Sequence, residues 1–271
     1  MVRMKQRIQK ILANAGVASR RNVEQMIGQG RISVNGRLVA TLPVLIDPQT
    51  DKVEVDGQSV KLKGADLAGR IYFLLNKPAG VYSTNVAQGE QVRAIDLLPP
   101  NLHRRVYPVG RLDAASKGLL LLTNDGELTN QLTHPRYGVA KTYRAIVEGY
   151  LDSRQMQVLE KGVWLPDSHS GKGFKSGRSR IKIVRRTGTM TILEIALREG
   201  RDAQVRRMLA RSGHRVRDLT RIRIGPLTLE GLAPGQFRPL LPREIRKLQG
   251  LCRPGRPMRK FDRKTNSSAP T

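Results

Sequence analysis

Apolar positions along the first sixty residues recur with two different periods. Ile8, Ile11, Leu12 and Ala15 fall at helical spacing, and Gly16 follows as a stop. Ser19 stands where a helix N-cap belongs, ahead of a second stripe of Val23, Met26 and Ile27 that Gly30 closes. The period then shortens. Ile32-Ser33-Val34 and Leu38-Val39 flank Asn35-Gly36, a strong local signal for a hairpin. Two helices and a hairpin predict a small first domain over residues 4–62. Residues 63–70, rich in Gly and Ala, predict a linker.

Beyond residue 70 short apolar runs predict strands over 71–75, 119–123, 142–147, 181–184 and 191–197. In the last, Leu193, Ile195 and Leu197 alternate with Glu194 and Ala196, the mark of a half-buried strand. Asn76-Lys77-Pro78-Ala79-Gly80 predicts a turn out of the first strand. Helices are predicted over 127–132, 153–160, 201–212 and 242–249. Helices scattered among strands without regular βαβ alternation argue for an α+β second domain over 71–249. Residues 167–180, rich in Gly, Ser and Lys, predict a mobile basic loop. Residues 250–271 lack apolar periodicity and predict a disordered basic tail. Arg221 and Arg223 alternate with Ile222 and Ile224. This places two charges on one strand face, for phosphate contact or for water.

Charge narrows the partners. Lys and Arg number 49 against 22 Asp and Glu, a formal net charge of +27, which calls for a polyanion. Nucleic acid is the first candidate. No apolar run of about eighteen residues is present to cross a membrane, and no apolar signal stretch follows Met1. The single cysteine, Cys252, closes no intrachain disulfide, in keeping with a reducing cytoplasm. His103, His134, His169 and His214 are scattered and have no cysteine partners, so no metal is expected. No glycine-rich segment matches a nucleotide-cofactor fingerprint, so no cofactor is expected.

One run carries candidate chemistry. Gly110-Arg111-Leu112-Asp113-Ala114-Ala115-Ser116-Lys117-Gly118 leads into four leucines and the turn Asn124-Asp125-Gly126. Asp113 is thus presented at the mouth of a buried strand. A carboxylate there is a turn former, or a group able to attack or deprotonate a sugar carbon. The run resembles the signature of bacterial rRNA pseudouridine synthases of the RsuA/RluB type. Asn76-Lys77-Pro78, Lys141-Thr142-Tyr143-Arg144 and the stretch from Glu199 to Leu209 resemble further motifs of that family, in its order. Gln9 to Ala13, Gly16 to Arg21 and Val34-Asn35-Gly36 together resemble the S-four-type RNA-binding domain, whose fold is shared with a small-subunit ribosomal protein.

The resemblance implies a fold and a set of roles. The fold is a small N-terminal RNA-binding domain followed by a catalytic domain on a mostly antiparallel sheet. Asp113 would act on the ribose of a target uridine, whose base is released, rotated and rejoined through carbon five. Tyr143 would stack on that base, although an ordinary strand tyrosine would merely pack. Arg206 would pair with Asp113, and Arg111 would help to displace the target nucleotide. Both Arg206 and Arg207 could instead sit on a solvated helix face. Asn76, Lys77, Lys141 and Arg207 would contact substrate, and Arg20, Arg21, Arg31 and Arg37 would contact RNA. Ala203 and Asp202 depart from the family pattern, which puts substrate contacts at that helix start in doubt. The expected activity is isomerisation of a uridine in bacterial ribosomal RNA, preferably 23S, with 16S as the alternative. The expected protein is a cytoplasmic monomer acting on rRNA or a ribosomal precursor. A non-catalytic rRNA-binding or assembly factor and a nucleobase glycosylase are the rival readings.

Overall fold

A computed structural model of the chain describes residues 5–62, 69–100, 102, 105–166 and 173–251. Most of the expected linker, the first part of the expected loop (167–172) and nearly all of the expected tail lie outside these residues. The chain divides into two compact units. The first takes in residues up to 71 with 101–106 and 123–126; the second takes in the rest.

The first unit follows its apolar pattern closely. Its elements are β1 (Gln6–Arg7), α1 (Ile8–Asn14), α2 (Arg20–Gly28), β2 (Ile32–Val34), β3 (Arg37–Leu38), β4 (Leu45–Ile46), β5 (Val53–Val55) and β6 (Gln58–Val60). Ser19 caps α2 by accepting from the backbone N–H of Asn22 at 3.1 Å. Asn35 and Gly36 both take positive φ, +52° and +78°, as the tight β2–β3 hairpin requires. Ile8, Leu12, Val23, Ile27 and Ile32 meet in one core, joined by Ile46 and Val53. The β5–β6 hairpin was not among the predicted elements; its turn at Asp56-Gly57 repeats the same chemistry, with φ of +51° and +75°.

The second unit contains β7 (Tyr72–Lys77), β8 (Tyr107–Pro108), β9 (Lys117–Thr123), α3 (Gly126–Thr133), β10 (Lys141–Glu148), α4 (Ser153–Lys161), β11 (Trp164–Leu165), β12 (Phe174–Lys175), β13 (Ser179–Thr187), β14 (Met190–Leu197), α5 (Gln204–Arg211), β15 (Val216–Ile224), β16 (Leu227–Thr228), β17 (Phe237–Pro239) and α6 (Pro242–Leu251). Nine of the strands form one sheet with the order β13-β14-β10-β15-β9-β7-β17, with β16 beside β15 and β8 beside β9. Antiparallel pairing dominates, and β9 runs parallel to β15. The leucines of β9 are fully buried on both sheet faces, which is why that strand shows no alternation. Leu119 and Leu121 pack with Leu128, Leu132 and Leu248 from α3 and α6. Each such side chain contributes roughly 1.5–3 kcal/mol.

Several expectations need correction. Asn76 and Lys77 lie in β7, not in a turn, and both are buried. Backbone hydrogen bonds from Asn76 to Gln236 and from Gly235 to Asn76 carry the strand past the apolar run. Within the expected loop, Phe174–Lys175 form β12 and Ser179 and Arg180 open β13. The helix expected from residue 201 begins at Gln204. The last helix continues through Gly250 to Leu251, two residues into the expected tail. Arg221 and Arg223 do not share a face. The pairing slips between Thr142 and Tyr143, which face Arg223 and Arg221, so Ile222 bulges out of register. Arg221 turns inward, 1 % exposed, while Arg223 stays in solvent. Among the described residues no helix is long and apolar enough to cross a membrane.

Candidate active site

The central strands supply the floor of a cleft. Tyr143 of β10, Leu197 of β14 and Leu219 of β15 line it from below. One wall is the segment containing Arg111, Leu112, Asp113 and Ser116; the other runs from Glu199 to Val205, ahead of and into α5. The cleft is a shallow, open one: its roughly 380 Å³ of empty space includes solvent at its mouth.

The Asp113 segment is gripped through its backbone. Ser83 Oγ accepts from Leu112 N at 3.1 Å and donates to Leu112 O at 3.0 Å. Three cations then bind its carbonyls. Arg221 Nη1 donates to Arg111 O at 3.4 Å, Lys77 Nζ to Ala114 O at 3.3 Å, and Arg206 Nη2 to Ala115 O at 3.3 Å. Lys77 also donates to the carbonyls of Pro78 and Val81, and Arg221 Nε to Leu119 O at 2.7 Å. Carbonyls bound by cations on both sides of Asp113 leave that residue little freedom, and charge-assisted bonds are the stronger kind.

The two carboxylates of the cleft differ in engagement. Glu199 accepts from Gly177 N at 2.6 Å and from Gln204 Nε2. Asp113 is half-buried, and its carboxylate has no hydrogen-bond or ion-pair partner among the described residues. Tyr143 on the floor is 8 % exposed, and its hydroxyl likewise has no such partner. Two side chains able to take part in proton transfer and stacking thus face the same space uncommitted.

Burial depresses two lysines here. Lys77 is pushed down to about 8 chiefly by burial, with nearby Asp113 opposing the shift and Arg221 adding to it. Lys141 is likewise pushed down to about 8 by burial and then by Arg221. Lys141 Nζ donates to Leu132 O at 3.2 Å.

The expected site residues therefore separate into groups. Asp113, Tyr143 and Arg111 line the cleft together. Arg111 is exposed and pairs with Asp202 at 3.0 Å across the cleft mouth. Arg206 does not pair with Asp113; it reaches Val216 O and Ala115 O, leaving a buried Nε without a partner. Asn76 donates to Leu232 O at 2.8 Å from inside the sheet. Arg207 lies along the other side of α5 with its guanidinium 5.8 Å from the Phe174 ring. In the first unit Arg20, Arg21 and Arg37 are exposed, and Arg31 is held by both oxygens of Asp56 at 2.6 and 2.7 Å. Sequence reasoning did not find Ser83 and Arg221 as supports. Nothing in their local pattern marks them, since Ser83 acts on a residue 29 positions away and Arg221 through a bulge. Ala203 sits at φ +44° directly before α5, a strained position for a residue with a side chain. Among the described residues no group of three or more metal-ligating side chains occurs.

Comparison with known proteins matches two separate stretches of the chain. Residues 71–211 match the family described as RNA pseudouridylate synthase, and residues 6–41 match the S4 domain. The chain is 44 % identical over 246 residues to a protein of Aquifex aeolicus described as an uncharacterized RNA pseudouridine synthase, covering 90 % of this chain and 94 % of that one. It is 40 % identical over 253 residues to the ribosomal large subunit pseudouridine synthase B of Bacillus subtilis, covering 93 % and 98 %. A crystal structure of a pseudouridylate synthase superposes with a TM-score of 0.63 at 26 % identity, covering 89 % of this chain and 99 % of that one.

Proposed function

Since this chain belongs to the RNA pseudouridylate synthase family, we propose that it isomerises a uridine of large-subunit ribosomal RNA, with Asp113 as the catalytic carboxylate. The observation that carries the assignment of Asp113 is its contrast with Glu199. Both acids line one cleft, but only the Asp113 carboxylate is free of structural bonds. The choice of large-subunit RNA rests on the Bacillus subtilis relative.

The reaction breaks the bond from uracil N1 to ribose C1′ and forms one from C5 to C1′. N1 gains a proton and C5 loses one, so the composition is unchanged. An ionised carboxylate can start it by attacking C1′ or by removing the neighbouring C2′ proton. Tyr143 is suited to hold the freed base by stacking while it turns, which keeps the base from escaping to leave an abasic site. Arg111, exposed at the mouth, is placed to meet the backbone of an extruded nucleotide; extrusion costs a few kcal/mol. Arg206 acts on Asp113 through the Ala115 carbonyl, as a positioning residue. Lys77 and Asn76 belong to the support beneath the site.

The test is single-turnover pseudouridine formation on fragments of 23S and 16S rRNA, with binding measured in parallel. The wild-type protein is expected to modify a 23S fragment. Asp113→Asn is expected to fold and bind while losing about a thousandfold or more in rate. Modification confined to 16S fragments would move the substrate to the small subunit. Substantial turnover by the asparagine variant would exclude Asp113. Formation of an abasic site in place of pseudouridine would favour a glycosylase.

A further inference from the structure

The single tryptophan of the chain stands where burial does not account for it. Trp164 opens β11 and is 63 % exposed. β11 pairs with β12 so that Trp164 lies opposite Lys175, and Leu165 opposite Phe174. Side chains alternate across a strand, so this two-stranded ribbon has two unlike faces. The outer face carries Trp164 and Lys175, both exposed; the inner face carries buried Leu165 and half-buried Phe174.

Each face has a second feature. On the outer face the indole lies against Gly173. A Cβ at that position would stand 3.3 Å from Trp164 Cε3 and 3.7 Å from Cζ3. The missing side chain lets the ring rest on the backbone with its outer surface open. On the inner face the Arg201 guanidinium lies 3.9 Å from the Phe174 ring centroid, a close cation–π contact. Arg201 also lines the cleft that holds Asp113 and Tyr143. The ribbon is thereby fastened to the rim of the cleft.

We propose that Trp164 and Lys175 form a stacking platform for an unpaired RNA base that flanks the nucleotide entering the cleft. This rests on the reading of the cleft as an RNA-modifying site. An exposed indole beside a lysine offers a π-face for any base and a charge for its phosphate, the usual combination in sequence-tolerant single-strand binding. The occupant follows from charge and place. The protein carries a net +27, Lys175 stands beside the indole, and the ribbon that bears the platform is fastened by its opposite face, through Phe174 and Arg201, to the wall of the cleft.

With Trp164 as the sole tryptophan, its fluorescence reports directly on the platform. The full chain would be titrated with a single-stranded oligouridylate, and separately with heparin, a polyanion without bases. Stacking predicts strong quenching by the oligouridylate and little change with heparin. Trp164→Ala is expected to bind the oligouridylate roughly fivefold to a hundredfold more weakly. It should bind heparin as before and melt at the wild-type temperature, because the side chain is exposed. Trp164→Phe should restore most of the affinity. Equal quenching by heparin, or wild-type oligouridylate affinity in the alanine variant, overturns the platform. Specific quenching without pseudouridine formation in any rRNA would leave the platform standing and remove the enzymatic reading. Pseudouridine formation with an unresponsive Trp164 would remove the platform alone.

Discussion

At the scale of single residues the cleft separates charge that holds the backbone from charge that is left open to the cleft. Lys77, Arg206 and Arg221 each donate to a backbone carbonyl beside Asp113, whereas the Asp113 carboxylate is left to the cleft. Buried cations of this sort are costly, and the cost has a pH signature. The Lys141 pKa in the folded protein is about 8, against the usual 10.5. Between those values the unfolded chain holds the proton and the folded chain does not, so this lysine's contribution makes stability rise with pH across that window. Below pH 8 the full cost of burial is present; above 10.5 it is gone. Lys141→Met removes the titration. The stability of the wild type relative to this variant should therefore increase from about pH 7.5 to about pH 10, as read by urea denaturation of both proteins. A difference independent of pH would mean that Lys141 is not held with a depressed pKa.

At the scale of elements, the site depends on where β9 and β15 meet. Gly118 pairs with Arg221 in the parallel register that joins them. It sits at φ +107°, and an added Cβ would stand 2.3 Å from the Arg221 carbonyl oxygen and 2.8 Å from its nitrogen. Both atoms are backbone and cannot swing away. Gly118→Ala should cost about 3 kcal/mol or more, combining left-handed strain with the clash. Gly213→Ala serves as the comparison. Gly213 has φ +83°, and a Cβ added there would meet no atom within 4 Å, so strain alone should cost it about 1 kcal/mol. Chemical denaturation of the two variants separates the two effects, and equal losses would show that the β9–β15 approach is not tight. The bulge at Ile222 belongs to the same scale. By slipping one residue against β10 it brings Arg221 onto the face of Tyr143, and so delivers Arg221's guanidinium to the Asp113 segment.

At the scale of the whole molecule, the net charge of +27 is too large to serve the cleft alone. Of the four cations expected to contact RNA, three have no side-chain partner among the described residues. Arg20 and Arg21 open α2, where the helix dipole disfavours positive charge, and Arg37 lies on the β3 strand of the hairpin. Arg31 differs, because Asp56 holds it from two oxygens and raises its pKa further. Replacing Arg20, Arg21 and Arg37 together by alanine should weaken binding to an rRNA fragment without altering its sequence preference. Each phosphate deprived of its cation should lower the slope of log K against log salt by about one. Replacing Arg31 should add little to that change in slope. An unchanged slope in the triple variant would place the RNA-binding surface elsewhere.

The sequence by itself determined what is local or periodic. Helical spacing, the Ser19 cap and Asn35-Gly36 specified the first unit because each acts within a few residues of itself. Five strands of the second unit, β7, β9, β10, β13 and β14, and its four helices were legible to within a few residues for the same reason, whereas the short strands β8, β11, β12, β16 and β17 were not; the place of Asp113 ahead of a buried strand was legible because its motif is contiguous. The β5–β6 hairpin carries the same kind of local signal in Asp56-Gly57, although the short runs beside it are weakly apolar. Tertiary structure decided whatever depends on partners far along the chain. Asn76 and Lys77 read as a turn because Pro78 follows them, but Asn76 exchanges backbone hydrogen bonds with Gly235 and Gln236, far along the chain, and Lys77 is buried beside it. Arg221 reads as a surface charge under strict alternation, and only the pairing with β10 reveals the bulge that turns it inward. Arg206 could face either way on its helix; the fold aims it at the Ala115 carbonyl, 91 residues distant. Local patterns set which segments become helix or strand through short-range hydrogen bonding and periodic burial. The cleft is assembled by contacts across nearly the whole second unit, so its charges acquire their partners only when the sheet has formed.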